Sequence, residues 1–195
     1  MRVAFGTKAH SGWAALVVVG ERDGGLVVVD RRRIELVRNE WEKQPYHAAE
    51  HLKPDAARDL VERGIAAAHK GATEEIRAAM KRERERDNSV AASAVLVGNP
   101  MPPWSTDEIL AVHFRMHKAE GVLFQDALVR AGEACGLKVV AIPAKQLWEH
   151  AEKALRSPRS RIEEKIVALG KSAGPPWGRD QKDAALAAWI ALQGR

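Results

Sequence analysis

The pattern of apolar and polar positions predicts strands first. Residues 14–19 (Ala-Ala-Leu-Val-Val-Val) and 26–30 (Leu-Val-Val-Val-Asp) are β-branched runs joined by Gly20-Glu-Arg-Asp-Gly-Gly25, which predicts a hairpin. Residues 1–5 predict a strand ahead of it, with Gly6, Ser11 and Gly12 marking a bend. Residues 33–37 alternate polar and apolar and predict a third antiparallel strand with one wet face. From Pro45 to Arg86 the chain is alanine-rich and helical in pattern, with a break at Lys53-Pro54 or Gly71. Residues 90–97 then predict a buried strand, and Gly98-Asn-Pro-Met-Pro-Pro103 a loop.

Ser105-Thr-Asp-Glu108 has the layout of a capping box and opens a helix that runs to Cys135, where Gly136 stops it. A strand over 137–142, helices over 144–155 and 161–169, and the rigid connector Gly174-Pro-Pro-Trp-Gly178 lead to an alanine-rich last helix from Asp180. Leading strands joined by short turns pair antiparallel, whereas later strands separated by helices favour parallel crossovers. The expected architecture is one α/β domain over residues 1–195: a mixed five-stranded sheet flanked by helices.

Composition changes this picture little. At 46% hydrophobic and 29% charged residues the chain is expected to fold. No apolar run approaches the ~18 residues that cross a bilayer, and no apolar signal region opens the sequence, so no membrane partner and a cytoplasmic location are expected. The single Cys135 excludes an internal disulfide framework and a cysteine zinc site. Thirty-one basic residues against 26 acidic ones give a net charge of +5, which permits a nucleic acid as partner. The run Lys81-Arg-Glu-Arg-Glu-Arg86 alternates sign and is read as a solvated helix end.

Candidate chemistry concentrates in two places. Asp180 and Asp183 stand three residues apart on the first turn of the last helix, while Ala184, Ala187, Ala188 and Ala191 let that helix press against a sheet. Paired carboxylates at a sheet edge hold hard divalent cations such as Mg or Mn; the other role open to them is capping the helix. Trp177, Arg179 and Lys182 lie beside them, placed to contact a phosphate backbone or to neutralise the acids. On the middle helix His113, His117 and Glu120 share one stripe, flanked by the apolar stripe Ile109, Val112, Met116, Ala119 and Leu123. Imidazoles beside carboxylates bind zinc or manganese or shuttle protons. Tyr46-His-Ala-Ala-Glu50 opens the first helix, and His47-Ala-Ala-Glu-His51 fits the pattern of inverted zinc proteases, a five-residue match of little weight in an alanine-rich helix.

The element order together with Asp180-Gln-Lys-Asp-Ala-Ala-Leu-Ala187 resembles the ribonuclease H-like fold, and within it RuvC-type Holliday-junction resolvases. The resemblance implies Asp180 and Asp183 as metal ligands, Glu50 as the nearest counterpart of a helical glutamate over the site, and water attack on a phosphodiester. It also implies acids at the ends of the first and fourth strands, yet residues 3–12 and 94–100 contain none. Two functions are therefore expected. One is a divergent metal-dependent nuclease or phosphodiester hydrolase. It would have Asp180, Asp183, Glu50 and Glu120 as catalytic groups, Asp180, Asp183, His113 and His117 on the metal, and Tyr46, His47, Trp177, Arg179 and Lys182 on the substrate, all around one shared cleft. The other is a non-catalytic module of the same fold that binds nucleic acid or a protein.

Overall fold

The computed structural model describes residues 1–194. Strands β1 (Arg2–His10), β2 (Trp13–Arg22) and β3 (Gly25–Glu35) form an antiparallel meander. Helices α1 (Glu40–Lys43), α2 (Pro45–Ala49) and α3 (Pro54–Glu85) lead to β4 (Ser89–Val97), which pairs parallel to β1. Helices α4 (Thr106–Leu110) and α5 (His113–Ala134) then cross over to β5 (Lys138–Pro143), parallel to β4. A single 3-10 turn and helices α6 (Leu147–Leu155), α7 (Arg159–Ala173) and α8 (Arg179–Gln193) complete the chain. The sheet order is β3-β2-β1-β4-β5, the mixed five-stranded architecture expected from the sequence.

Several boundaries differ for physical reasons. Residues 26–30 and 33–37 are not two strands, because the polar step Asp30 to Arg32 continues the ladder against β2 in one long β3. The break before α3 falls at Pro54, whereas Gly71 stays helical: a Cβ there would lie 1.9 Å from the Leu36 carbonyl oxygen, so its hydrogen lets α3 press on the chain leaving β3. The helix expected over 106–135 is split at Ala111-Val112, which leaves Val112 exposed rather than in the apolar stripe. The sign-alternating run at the end of α3 is not wholly solvated. Glu83 is fully buried, accepting from Arg86 and Asn88, and Arg86 also reaches Asp30 on β3.

Each face of the sheet has its own core. On one, Ala4, Val17, Val19, Ala92, Ala94 and Leu96 meet α6, α7 and α8. On the other, Val3, Phe5, Leu16, Val18 and Val95 meet α3 and α5. Helix α8 comes close because Gly6 has no side chain: a Cβ there would stand 1.9 Å from the carbonyl oxygen of Ala184. Ala184, Ala187, Ala188 and Ala191 are buried against the sheet as the sequence predicts. This close approach brings the first turn of α8 to the end of β1.

Candidate functional site

Strand alternation sends Gly6, Lys8 and His10 to the face covered by α8. Lys8 Nζ lies 3.0 Å from Asp180 Oδ1 and donates to Asp183 Oδ2 at 2.7 Å. His10 Nε2 is 3.0 Å from Asp180 Oδ2, and Arg179 Nε lies 3.8 Å from Asp183 Oδ2. Partial burial pulls the Lys8 ammonium down, but its hydrogen bonds to Asp183 and Asp180 and their charges outweigh that and hold it above the usual lysine range. Burial likewise pushes Asp180 up, and the Lys8 and His10 contacts reverse the direction, so its carboxyl stays below the ordinary range. Two acids thus share one ammonium on the strand, with an imidazole and an exposed guanidinium beside them.

The resemblance implies divalent cations on Asp180 and Asp183, and these residues do not fit them. The position between the carboxylates is taken by an ammonium that donates to one and pairs with the other. A divalent ion there would have to displace Lys8 and then face its charge. Lys8 and His10 lie outside the site residues expected from the sequence, because the resemblance asks for an acid on the first strand. The signal was present: a basic residue two positions after Gly6, at the end of the strand where the resemblance asks for a metal ligand.

Around this cluster His10 stacks on Trp13, ring centroids 4.2 Å apart, and the Arg33 guanidinium lies 4.1 Å from the centre of the Trp13 ring. Trp177 is not free to stack. Its indole N–H donates to the Ile166 carbonyl at 3.1 Å, and its ring sits where a side chain on Gly170 would be. Lys182 is exposed, and Arg179 keeps 89% of its side chain in solvent.

His113, His117, Glu120, Glu50, Tyr46 and His47 gather elsewhere. The shared cleft expected from the sequence does not form, because α8 covers one face of the sheet and α5 the other. Glu120 is buried on α5, and its Oε1 accepts from the backbone N–H groups of Tyr46 and His47, both at 3.1 Å. Its Oε2 accepts from His47 Nδ1 at 2.6 Å. His113 and His117 reach His47 from the start of α5, with ring centroids 5.1 Å and 4.5 Å away. Glu50 Oε1 lies 3.6 Å from His113 Nδ1. His51 takes no part, since α2 ends at Ala49 and the i, i+4 pairing of the protease-like string does not form. Tyr46 is buried and lines a neighbouring cleft of about 540 Å³ together with Met101, Ala119, Leu123 and Asp126. Burial, and then the Glu120 charge, push the Tyr46 phenol up.

The sheet order, the parallel β4 and β5, and a last helix laid over β1 can be set against known structures. The structure of Thermus thermophilus RuvC superposes with a TM-score of 0.51 at 13% identity, covering 96% of this chain and 92% of that one. T. thermophilus RuvC in complex with Holliday junction substrate gives a TM-score of 0.50 at 12% identity, with 97% and 92% covered. The fold is RuvC-like. No protein-family model matches the chain, and no curated protein sequence does. At such identity the likeness carries the ribonuclease H-like architecture and no activity. Among the described residues no helix is long and apolar enough to cross a membrane.

Proposed function

We propose that the chain is a ribonuclease H-like module that binds nucleic acid without cutting it by metal-dependent chemistry. The observation that carries the reading is Lys8 held between Asp180 and Asp183. Cleavage by two bridging metals needs carboxylates free to take cations about 3.5–4 Å apart, and a strand lysine satisfies the same carboxylates with one fixed charge. With Lys8 and Arg179 against Asp180 and Asp183, and His10 alongside, the cluster is neutral or positive, which suits an approaching phosphate better than a dication. The nucleic-acid half of the reading draws on the net charge of +5, on exposed Arg179 and Lys182 at the mouth of α8, and on a similarly folded RuvC having been solved with a Holliday junction.

The test is binding and cleavage measured on the same substrates. Fluorescence anisotropy with four-way-junction and duplex DNA across 50–200 mM salt should give affinity that falls steeply with salt, and neither Mg²⁺ nor Mn²⁺ should yield product. Arg179→Ala with Lys182→Ala should weaken binding and flatten the salt slope by about two contacts. Metal-dependent product that disappears in Asp183→Asn would overturn the non-cleaving half. An absence of binding to either DNA at 50 mM salt would overturn the other half.

A further inference from the structure

His47, His113 and His117 come from two elements far apart in sequence, α2 and the first two turns of α5, yet each offers a ring nitrogen and these nitrogens all lie within 4.8 Å of one another. His117 Nε2 and His113 Nε2 are 3.2 Å apart. Two imidazoles bound tetrahedrally at ~2.0–2.1 Å from one metal have nitrogens roughly 3.3 Å apart, so this pair already has the spacing of neighbouring ligands.

Hydrogen bonds fix which nitrogen His47 presents. The Glu120 carboxylate already accepts two backbone N–H groups, so it also accepts from His47 Nδ1–H. In the neutral ring that makes Nε2 of His47 the acceptor, and this atom is buried without a hydrogen-bond partner. A buried imidazole nitrogen with no partner is costly unless something binds it. Glu50 stands at ion-pair distance from Nδ1 of His113, so a second carboxylate backs a second imidazole. Carboxylate, then histidine, then metal is the outer-shell arrangement that orients zinc ligands and raises their basicity. The two carboxylates also balance the charge of a dication.

We propose that His47, His113 and His117 form a binding site for one zinc-class divalent cation, with Glu120 and Glu50 as positioning residues and the fourth coordination place open to solvent. Three neutral nitrogens favour zinc, cobalt or nickel over magnesium or calcium, which take oxygen ligands. The open side follows from exposure: His113 keeps 62% of its side chain in solvent, whereas Glu120 keeps 5%. Three histidines with an open fourth place are the donor set of zinc sites that carry a water. The ion would also pin α2 to α5 beside the cleft that Tyr46 and Ala119 line. The site is separate from the Lys8 cluster, and neither proposal rests on the other.

The test uses the untagged 195-residue chain, stripped with chelator and dialysed against Zn²⁺, with bound metal measured per chain, and Co²⁺ as a spectroscopic probe. One Zn²⁺ per chain is expected, together with the intense visible bands of tetrahedral cobalt. His113→Ala with His117→Ala should weaken binding at least 100-fold, and Glu120→Gln about 10- to 100-fold. His51→Ala and Asp183→Asn should leave it unchanged. Both histidines of the double variant are largely exposed, so it is expected to fold, checked by far-UV circular dichroism. Should it fail to, the cobalt spectrum of the wild type decides alone. Wild-type binding no tighter than that of the double variant, loss of binding in Asp183→Asn, or octahedral cobalt bands would each overturn the proposal.

Discussion

Two polar clusters of this molecule, at the start of α8 and at the start of α5, differ in what completes them. At the end of β1 the acids Asp180 and Asp183 are completed from within, by Lys8 on the strand and by His10 beside it. Between α2 and α5 three imidazoles face one another, two of them with a carboxylate partner, and Nε2 of His47 is buried without a hydrogen-bond partner. The first cluster has supplied its own cation, and the second has prepared the donors for one. A ribonuclease H-like architecture therefore says little about where, or whether, a metal binds. The outcome depends on single residues, here a lysine two positions after a strand glycine.

Breaking the frame that holds the first cluster should have the largest effect. Gly6→Val places side-chain atoms where the Ala184 carbonyl stands, so α8 must move. We expect a loss of about 3–5 kcal/mol in denaturant unfolding, with the Lys8 pairs lost and the histidine cluster intact in whatever folds. Next is Glu120→Ala, which strips the partners from two backbone N–H groups and from His47. It should cost about 2–4 kcal/mol in the same measurement, and more than the exposed His113→Ala. Lys8→Ala should cost less, about 1–2 kcal/mol, because its pairs are partly solvated. In a chain that also carries His113→Ala and His117→Ala, it should create a rise in melting temperature with added Mn²⁺ that the same chain with Lys8 in place does not show.

The smallest effect sharpens the comparison through pH. Asp180 has its carboxyl held below the ordinary range, so its contribution is present above an ordinary carboxylate pKa of about 4 and is lost as pH falls through its lower folded value. Lys8 is held above the ordinary range, so its contribution is complete below about pH 10.4 and is lost as pH rises through its higher folded value. The stability difference between wild type and Lys8→Ala should accordingly be flat between those limits and shrink outside both. A difference that varies with pH between those limits would contradict Lys8 as the dominant partner of the two aspartates.

The architecture was legible because it rests on patterns that need no partner: β-branched runs around a turn for the meander, and four alanines on one stripe of α8 for its close contact. Asp180 and Asp183 were legible too, but their meaning was not, since their partners on β1, Lys8 and His10, lie 175 and 170 positions away. The stripe of His113, His117 and Glu120 was visible as helical spacing. Joining it to His47 required knowing that α2 packs on α5, and joining it to Asp180 required the opposite faces of the sheet to be one. The five-residue string around His47 held a true neighbour of the cluster and a false one. Helix α2 stops before His51, and no local spacing rule anticipates where a five-residue helix ends.

Whether the aspartates on α8 can take a divalent ion while Lys8 is present separates a binding module from a metal-dependent enzyme most directly. Calorimetric titration with Mn²⁺ answers this in a chain carrying His113→Ala and His117→Ala, which leaves His47 as the one imidazole of the three-histidine cluster. No binding is expected with Lys8 in place, and a single site on changing Lys8→Ala that vanishes again with Asp183→Asn. Mn²⁺ bound in the presence of Lys8 and lost on Asp183→Asn would contradict that expectation.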